Sequence, residues 1–282
     1  MLVAGGGPFA CKTVRLELTR PPKKLDDYTL HISAVEAIAS EKFHGSTTNI
    51  YGYCGMFFLT ELGDEGDLQE YVARNRPMEP LQKLGLALDI ARAISGFSGR
   101  EALIHNDLET CNVVITQGKV KIIDFAEAVF LPQSTESNNT CHLREIFKIS
   151  HGIEPPEMIR KSGNYSTKIN SYTLGSLLFY ILTEGARIYH CESPKRICNS
   201  YSKDQNTISK DDVRTLKSNG SLPLLPAAIE QSRGPVITVI RETMKRALHP
   251  NPERRPSAQE IVDSLERAQQ TLDSPVKGLP EH

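Results

Sequence analysis

The sequence predicts an α+β fold with two lobes, a small β-rich lobe at the N-terminal end and a larger, mainly helical lobe after it. Short apolar runs typical of strands are concentrated before residue 63, and amphipathic patterns with helical spacing dominate from residue 68 onward. The polar segment Gly63–Asp67 between them indicates a hinge. We therefore predict an N-terminal lobe at 1–62, a C-terminal lobe at 63–270 and a flexible tail at 271–282.

The N-terminal lobe combines strands with one helix. The apolar runs short enough for strands are Leu2–Ala4, Phe9–Val14, Ile50–Tyr53 and Met56–Leu62. Gly5–Gly7 lies between the first two runs and indicates a hairpin turn, since glycine tolerates the backbone angles of such turns. The apolar spacing from His31 to Phe43 predicts a helix between the second and third strands.

Helices dominate the C-terminal lobe. A long amphipathic helix is indicated by apolar residues at helical spacing, which are Leu81, Leu84, Leu88, Ala91 and Ile94. Short strands are predicted at Ala102–Ile104, Val113–Ile115 and Val120–Ile123. The apolar stretch Tyr172–Leu182 predicts a helix buried in the core, too short to span a bilayer. Ser257, with Glu260 three residues later, predicts the start of the final helix.

Charge and cysteine content narrow the class of protein. The formal net charge of −1 argues against a nucleic-acid or polyanion binder, which usually has a basic excess. The six cysteines form no C-x-x-C pair, and a chain of 282 residues can build a core without disulfides, so we expect free thiols. No secretory signal is visible. We expect a cytoplasmic, intracellular protein without a membrane segment in this chain, unless upstream sequence carries an anchor.

The chemistry of the sequence is concentrated in two motifs. They are His105-Asn-Asp-Leu-Glu-Thr-Cys-Asn112 and Lys121-Ile-Ile-Asp-Phe-Ala126. Asp107 can orient an attacking hydroxyl group or accept its proton. Asn112 and Asp124 offer the hard oxygen ligands that suit Mg²⁺ held jointly with phosphates. Each residue alone would be an ordinary turn residue, but together they provide the positioning and charge neutralisation that phosphoryl transfer needs.

These motifs resemble the catalytic loop H-R-D-x-x-x-x-N and the D-F-G motif of eukaryotic-type protein kinases. The resemblance extends from about Ala10 to Leu265 and implies a two-lobed protein-kinase-like fold. It also implies ATP and Mg²⁺ as cofactors and a protein as substrate or binding partner. Pro155-Pro-Glu157 resembles A-P-E, and Arg255-Pro256 resembles the late arginine that pairs with that glutamate. Tyr172–Gly175 resembles the start of the family's central buried helix.

The resemblance implies roles for the nucleotide-binding residues. Lys12 would hold the α- and β-phosphates and would pair with Glu36, for which nearby Glu41 is an alternative. The gatekeeper and the adenine-binding hinge would fall at Thr60, Glu61 and Leu62, and the adenine would lie between Ala10 and Val114.

The same resemblance implies roles for the catalytic residues. Asp107 would act on the acceptor hydroxyl, with Lys12 and Asn112 as further catalytic residues. Asn112 and Asp124 would be the metal ligands. His105 would have a structural role beneath Phe125.

The largest departure from the family pattern lies at the N-terminal end. Gly5–Gly7 is too close to Lys12 to be the glycine-rich loop of the family, which precedes the lysine by a strand and a turn. We therefore expect an incomplete N-terminal lobe, through either a truncated sequence or a true loss. Without the backbone N–H donors of that loop, the phosphates would lack a cover.

Four single residues also depart from the pattern. Glu109 replaces a lysine that contacts the γ-phosphate in serine/threonine kinases, and a carboxylate there would repel the transferred group. Ala126 replaces the glycine of D-F-G, which restricts the backbone. Asn170 replaces an aspartate that anchors the catalytic loop, and its amide can keep part of that bonding. Asn106 replaces the arginine that reads a phosphorylated activation loop, so we expect no such switch.

Three functions are compatible with these features. The first is an ATP-dependent protein kinase, of serine/threonine type rather than tyrosine type. The second is a weak or inactive pseudokinase that acts as a binding scaffold, which the departures favour. The third is a small-molecule kinase of the aminoglycoside or choline type, which Ile123–Ala128 resembles, although Pro155–Glu157 and Arg255–Pro256 follow protein-kinase order.

Overall fold

The computed structural model describes residues 9–13, 27–54, 57–99, 102–134, 141–144, 153–189 and 210–273. The strand expected at Leu2–Ala4 and its glycine turn lie outside these ranges. The final helix continues to Asp273, so the first residues of the tail expected from 271 are helical, and residues 274–282 lie outside the described part.

The N-terminal part consists of three strands and one helix, which are β1 (Phe9–Thr13), α1 (Asp27–Lys42), β2 (Ile50–Cys54) and β3 (Phe57–Glu61). The strands form an antiparallel sheet with the order β1-β3-β2. Ala10 lies opposite Thr60 and Lys12 lies opposite Phe58, so these four residues share one face of the sheet. The helix starts at Asp27, four residues before the expected His31.

The C-terminal part contains most of the helices. They are α2 (Leu68–Arg74), α3 (Pro80–Ser95), α4 (Pro156–Ile159), α5 (Lys168–Leu182), α6 (Lys210–Ser218), α7 (Ala227–Glu230), α8 (Pro235–Ala247) and α9 (Ala258–Asp273). Two strand pairs lie among them: β4 (Leu103–Ile104) with β7 (Val129–Phe130), and β5 (Val113–Thr116) with β6 (Lys119–Ile122). The strands predicted at 102–104, 113–115 and 120–123 are therefore confirmed within about one residue.

The core of this part is built around α5. Every residue of α5 from Ile169 to Leu182 is buried, which confirms the prediction of a core helix at Tyr172–Leu182. The long helix α3 packs against α5, α8 and α9. Four residues of its predicted apolar stripe are buried, which are Leu84, Leu88, Ala91 and Ile94, whereas Leu81 is 61% exposed. This helical body is the base on which the loops between β4 and β7 are held.

The capping pattern that the sequence shows before the final helix is present in the structure. Before α9, the backbone N–H of Ser257 donates to Glu260 Oε2 at 2.7 Å and the Glu260 N–H donates to Ser257 Oγ at 3.2 Å, which confirms the capping box. Among the described residues, Cys11, Cys54, Cys111 and Cys141 are not joined in disulfides. No helix in the described part of the chain has the length and apolar character needed to cross a bilayer. Small strand-rich and large helical parts together confirm the predicted α+β fold class.

Candidate active site

His105 fixes the start of the loop that follows β4. Its ring is fully buried and packs against the ring of Phe125, with centroids 4.7 Å apart. Nε2 donates to the carbonyl of Ile123 at 3.0 Å, so Nδ1 is the acceptor that receives the backbone N–H of Asp107 at 3.3 Å. Burial lowers the pKa of His105 to about 4, so the ring is neutral near pH 7. The neutral ring therefore holds the backbone of Asp107 in place through its Nδ1 atom.

Asn170 on α5 holds the same loop from below. Its Oδ1 accepts the backbone N–H of His105 at 3.1 Å, and its Nδ2 donates to the carbonyl of Leu103 at 2.6 Å. The amide thus uses both of its polar atoms, whereas a carboxylate could only accept. Asn106 has a φ of 63° and donates from Nδ2 to the carbonyl of Glu127, which ties the loop to the segment after β6. Asparagine is one of the few residues that tolerates this left-handed conformation.

Asp107 and Asn112 face each other at opposite ends of the loop. A short 3₁₀ turn at Thr110–Asn112 brings Asn112 Nδ2 within 2.6 Å of the Asp107 carbonyl and 3.1 Å of Asp107 Oδ2. Burial, followed by the charges of Glu109 and Asp124, raises the pKa of Asp107 to about 6. A carboxyl group with a pKa near neutrality is suited to accepting a proton from a hydroxyl group.

Lys12 joins the small sheet to the loops of the helical part. Its Nζ lies 3.2 Å from Glu36 Oε2 on α1 and 2.6 Å from Asp124 Oδ1. Burial alone would lower the pKa of Lys12, but the two carboxylates outweigh it, and the pKa lies above its ordinary value. Burial raises the pKa of Glu36, although Lys12 favours its charged form. The three residues therefore form one charge-coupled group.

Asp124, two residues after the end of β6, has an unusual backbone conformation. Its φ is 66°, in the left-handed region that is uncommon for residues other than glycine. The next residue, Phe125, is fully buried and makes an edge-on contact with Phe97, with centroids 5.5 Å apart. The buried ring anchors the segment, and the carboxylate is left about 40% exposed and turned towards Lys12.

Ala10 and Val114 lie on either side of the connection between the two parts. Ala10 is on β1 opposite Thr60, and Val114 is buried on β5. Gly63 passes directly over Val114, since a Cβ atom on this glycine would lie 2.9 Å from the Cβ atom of Val114. Only glycine allows the chain to pass so close at this point.

Hydrogen bonds hold Glu61 and Leu62, two of the residues predicted for the gatekeeper and the adenine-binding hinge. Glu61 is the last residue of β3, and its Oε2 accepts from the backbone and side-chain nitrogens of Asn49 at 3.2 and 3.1 Å. The carbonyl of Leu62 accepts the hydroxyl of Thr116 at 3.0 Å. These bonds fix the crossing between the sheet and the helical part, where the hinge residues were expected.

The oxygens available for a cation fit the set expected from the sequence. Asn112 uses its amide nitrogen in bonds to Asp107, so its amide oxygen is the atom that can ligate a metal. Asp124 contributes a carboxylate. No cluster of three or more His, Cys, Asp or Glu side chains suited to a metal ion occurs in the described ranges. Two protein oxygens suit an ion such as Mg²⁺, which takes its other ligands from phosphates and water.

Glu157 and Arg255 form a buried ion pair below the catalytic loop. The guanidinium binds both carboxylate oxygens at 2.6 Å, and the side chains of Glu157 and Arg255 are 3% and 0% exposed. The Arg255 side chain also donates to the carbonyl of Lys168 at 3.1 Å and lies over the ring of Tyr172 at 4.9 Å. This contact links α4 to the first residue of α5 and to the segment just before α9.

A family model of the protein kinase domain matches residues 4–265. This chain belongs to the protein kinase family. Kinase domains in general use ATP with a divalent metal ion. The protein-kinase resemblance inferred from the two motifs is thereby confirmed, whereas the role of each site residue stays a prediction.

Several curated relatives carry the same domain at low identity. Integrin-linked protein kinase 1 of Arabidopsis thaliana is 23% identical over 215 residues, which are 75% of this chain and 40% of that protein. A probable LIM domain-containing serine/threonine-protein kinase of Dictyostelium discoideum is 24% identical over 259 residues, 88% of this chain and 34% of that protein. Serine/threonine-protein kinase PrkC of Bacillus subtilis is 28% identical over 159 residues, 51% of this chain and 22% of that protein. The chain therefore spans less than half the length of each of these three relatives.

Sequence reasoning did not foresee two contacts of the kinase site. The direct bond between Lys12 and Asp124 joins residues 112 positions apart. Lys121 reaches from β6 to the carbonyl of Gly45 at 2.8 Å. A lysine in a short strand shows no local pattern that distinguishes a buried donor from an exposed charge, so only the tertiary structure could identify this contact.

Proposed function

We propose that this kinase domain transfers the γ-phosphoryl group of ATP to hydroxyl groups of a protein, and that it is of the serine/threonine type. The observation that carries the proposal is the convergence of Lys12, Asp107 and Asp124 from three separate segments. Lys12 contacts Asp124 directly, and the Asp124 charge acts on Asp107. Two of the three relatives described above are named serine/threonine-protein kinases.

In this proposal each residue has one task. Lys12, held by Glu36, binds the α- and β-phosphates. Asn112 and Asp124 hold Mg²⁺, which neutralises charge on the phosphates. Asp107 orients the acceptor hydroxyl and takes its proton, and His105 keeps the backbone of Asp107 in place through its neutral ring.

The adenine would bind at the crossing between the sheet and the helical part. Thr60, Glu61 and Leu62 line the crossing from β3, and the hydrogen bonds of Glu61 and Leu62 keep its backbone in place. Ala10 would cover the base from above and Val114 from below. An apolar pair on both faces suits a flat aromatic ring.

The test is phosphate transfer from radiolabelled ATP to a mixed protein substrate and to the chain itself. We expect incorporation that requires Mg²⁺ and is lost in Asp107→Asn. The matched control is Asp89→Asn, on a half-buried aspartate of α3 that pairs with Arg92, and it should retain the wild-type rate. If Asp107→Asn incorporates phosphate at the wild-type rate, the proposed role of Asp107 is wrong.

A second candidate function, a binding scaffold with weak or no catalysis, is supported by Glu109. Its charge raises the pKa of Asp107 and would oppose an approaching phosphate. The two functions differ in nucleotide turnover. A wild-type chain that binds MgATP but incorporates no phosphate would favour the scaffold.

The acceptor and the location are further parts of the proposal. The buried pair Glu157–Arg255 follows protein-kinase order and favours a protein acceptor over a small molecule, and a screen of hydroxylated and aminated small molecules tests this point. The free thiols of the described cysteines and the need for ATP support an intracellular location. Fractionation of cells that express the natural protein would test it.

A further inference from the structure

Two hydrogen bonds join the turn after α1 to strand β6. Lys121 Nζ donates to the carbonyl of Gly45 at 2.8 Å. One residue later along both segments, the backbone N–H of Ile122 donates to the carbonyl of Ser46 at 2.8 Å. We call this pair of contacts the α1–β6 joint. It connects the helix that carries Glu36 to the strand that leads into Asp124.

The turn at the joint is rigidly attached to α1. Thr47 is fully buried, and its hydroxyl donates to the carbonyls of Ser40 and Phe43 at 3.0 and 3.2 Å, which closes the C-terminal end of the helix. The ring of Phe43 packs edge-on against Phe97 of the helical part, with centroids 5.2 Å apart. Gly45 has a φ of 98°, a conformation that favours glycine. A shift of the turn would therefore move α1 with it.

The two elements at the joint carry the two carboxylates that Lys12 contacts. Glu36 lies about two helical turns before Phe43 on α1. Asp124 follows two residues after Ile122 at the end of β6. Because Lys12 contacts Glu36 at 3.2 Å and Asp124 at 2.6 Å, the separation of α1 from β6 decides whether one ammonium group can reach both.

Lys121 carries a charge that a residue with a purely packing role would not need. Lys121 is only 8% exposed, and its ammonium group donates a hydrogen bond to the backbone carbonyl of Gly45. Burying an ammonium group costs free energy that an apolar side chain on the same strand would not incur. What the buried ammonium group provides is a hydrogen bond that holds the turn at the C-terminal end of α1.

We propose that Lys121 is a positioning residue for the nucleotide site, acting through the Gly45 carbonyl to set α1 so that Glu36 and Asp124 share Lys12. The inference rests on the proposed ATP-dependent function. It assigns Lys121 no contact with the nucleotide.

The experiment compares MgATP affinity, by calorimetry, and peptide phosphorylation in Lys121→Met and in the matched control Lys119→Met. Lys119 lies two positions earlier on the same strand and is exposed. Lys121→Met should raise the dissociation constant and the KM for MgATP roughly fivefold to tenfold, with a smaller change in kcat, and Lys119→Met should change neither. Lys121→Arg, which keeps a donor, should recover most of the affinity.

A double variant tests whether Lys121 acts through Glu36. If it does, Glu36→Gln combined with Lys121→Met should weaken MgATP binding no more than the stronger single change does. Hydrogen exchange of residues 33–47 reports α1 even in a variant with low activity, and it should increase in Lys121→Met but not in Lys119→Met.

Failure of the inference can be distinguished from failure of the proposed function. If the wild type binds MgATP and Lys121→Met binds it equally well, or if the effects of Lys121→Met and Glu36→Gln simply add, the positioning role is wrong. If the wild type binds no MgATP, the proposed function fails and the inference fails with it.

Discussion

Two ion-pair sites in this kinase domain use the same kinds of groups in different environments. The Glu157–Arg255 pair is bidentate, and both of its side chains are at most 3% exposed. Lys12 and Asp124 also form a short contact, but their side chains are 39% and 40% exposed, and Lys12 is shared with Glu36. The first pair has every partner supplied by the protein, whereas the second has open surface for a ligand.

The difference in exposure indicates how much each ion pair contributes to the stability of the fold. A buried bidentate pair is costly to break from one side, because the remaining charge has no water to solvate it. A half-exposed pair contributes little to stability, because water and salt screen it. Phosphates and a metal ion can therefore replace contacts at Lys12 and Asp124, and no such exchange is open to Glu157 and Arg255.

The largest effect on stability is expected for Arg255→Met. The change leaves the Glu157 carboxylate buried without its partner, and the free energy of unfolding should fall by about 3–5 kcal/mol. Urea denaturation measures it. The control is Arg92→Met in the exposed pair with Glu266, where about 1 kcal/mol or less is expected. Similar losses in the two variants would remove the contrast between buried and exposed pairs.

Lys12→Met should reverse the pattern of effects. Phosphate transfer should fall about a hundredfold or more, because a cation at the developing charge is lost. The free energy of unfolding should fall by less than in Arg255→Met, because Lys12 and Asp124 are partly exposed, although the buried Glu36 loses its cationic partner. Lys245→Met, in the surface pair with Glu230, is the control for both measurements. An unchanged transfer rate would mean that Lys12 is not the phosphate ligand.

Asn170→Asp tests a buried site that is held by hydrogen bonds and contains no ion pair. The family's usual aspartate would place a carboxylate against the Leu103 carbonyl, which now accepts a hydrogen bond from the amide. We expect a loss of about 1–3 kcal/mol in thermal or urea unfolding. The exposed Asn251 uses its side-chain oxygen as an acceptor from Glu253, so Asn251→Asp should be nearly neutral. A gain in stability for Asn170→Asp would show that this hydrogen-bond assignment is wrong.

The pH dependence of phosphate transfer tests the role predicted for Asp107 at the partly exposed site. Asp107 must be ionised to accept a proton, and its pKa is raised to about 6, so the rate should rise with pH through about 6 and then level off. Glu109→Gln removes a negative charge that raises this pKa, and the midpoint should move to lower pH. A pH–rate profile of kcat/KM checks both statements. An unmoved midpoint in Glu109→Gln would mean that Glu109 does not act on Asp107.

Ser257→Ala should have the smallest effect. It removes the hydroxyl that caps α9, two residues after Arg255, and should cost about 1 kcal/mol of stability. The transfer rate at a temperature where the chain is folded should not change. A lower rate under these conditions would mean that the cap of α9 affects the active site.

The sequence predicted the elements better than the contacts between them. Apolar periodicity predicted α3 and α5, and the order of short motifs predicted that Asp107, Asn112 and Asp124 are neighbours. These signals are local, so they remain readable in one sequence.

The remaining features depend on residues far apart in the chain. The bond between Lys121 and Gly45 spans 76 positions, and the bond between Lys12 and Asp124 spans 112. The left-handed backbone at Asp124 likewise follows from how Phe125 is buried below it. No spacing rule reports such contacts, because they are decided by how the sheet packs on the helical body.

The most direct test of the account is calorimetry of ATP binding by the wild type and by Asp124→Asn, each with and without Mg²⁺. The account predicts that the wild type binds ATP more tightly when Mg²⁺ is present and that Asp124→Asn loses this dependence. Equal ATP affinity in all four conditions would contradict the claim that Lys12, Asn112 and Asp124 form one metal–nucleotide site.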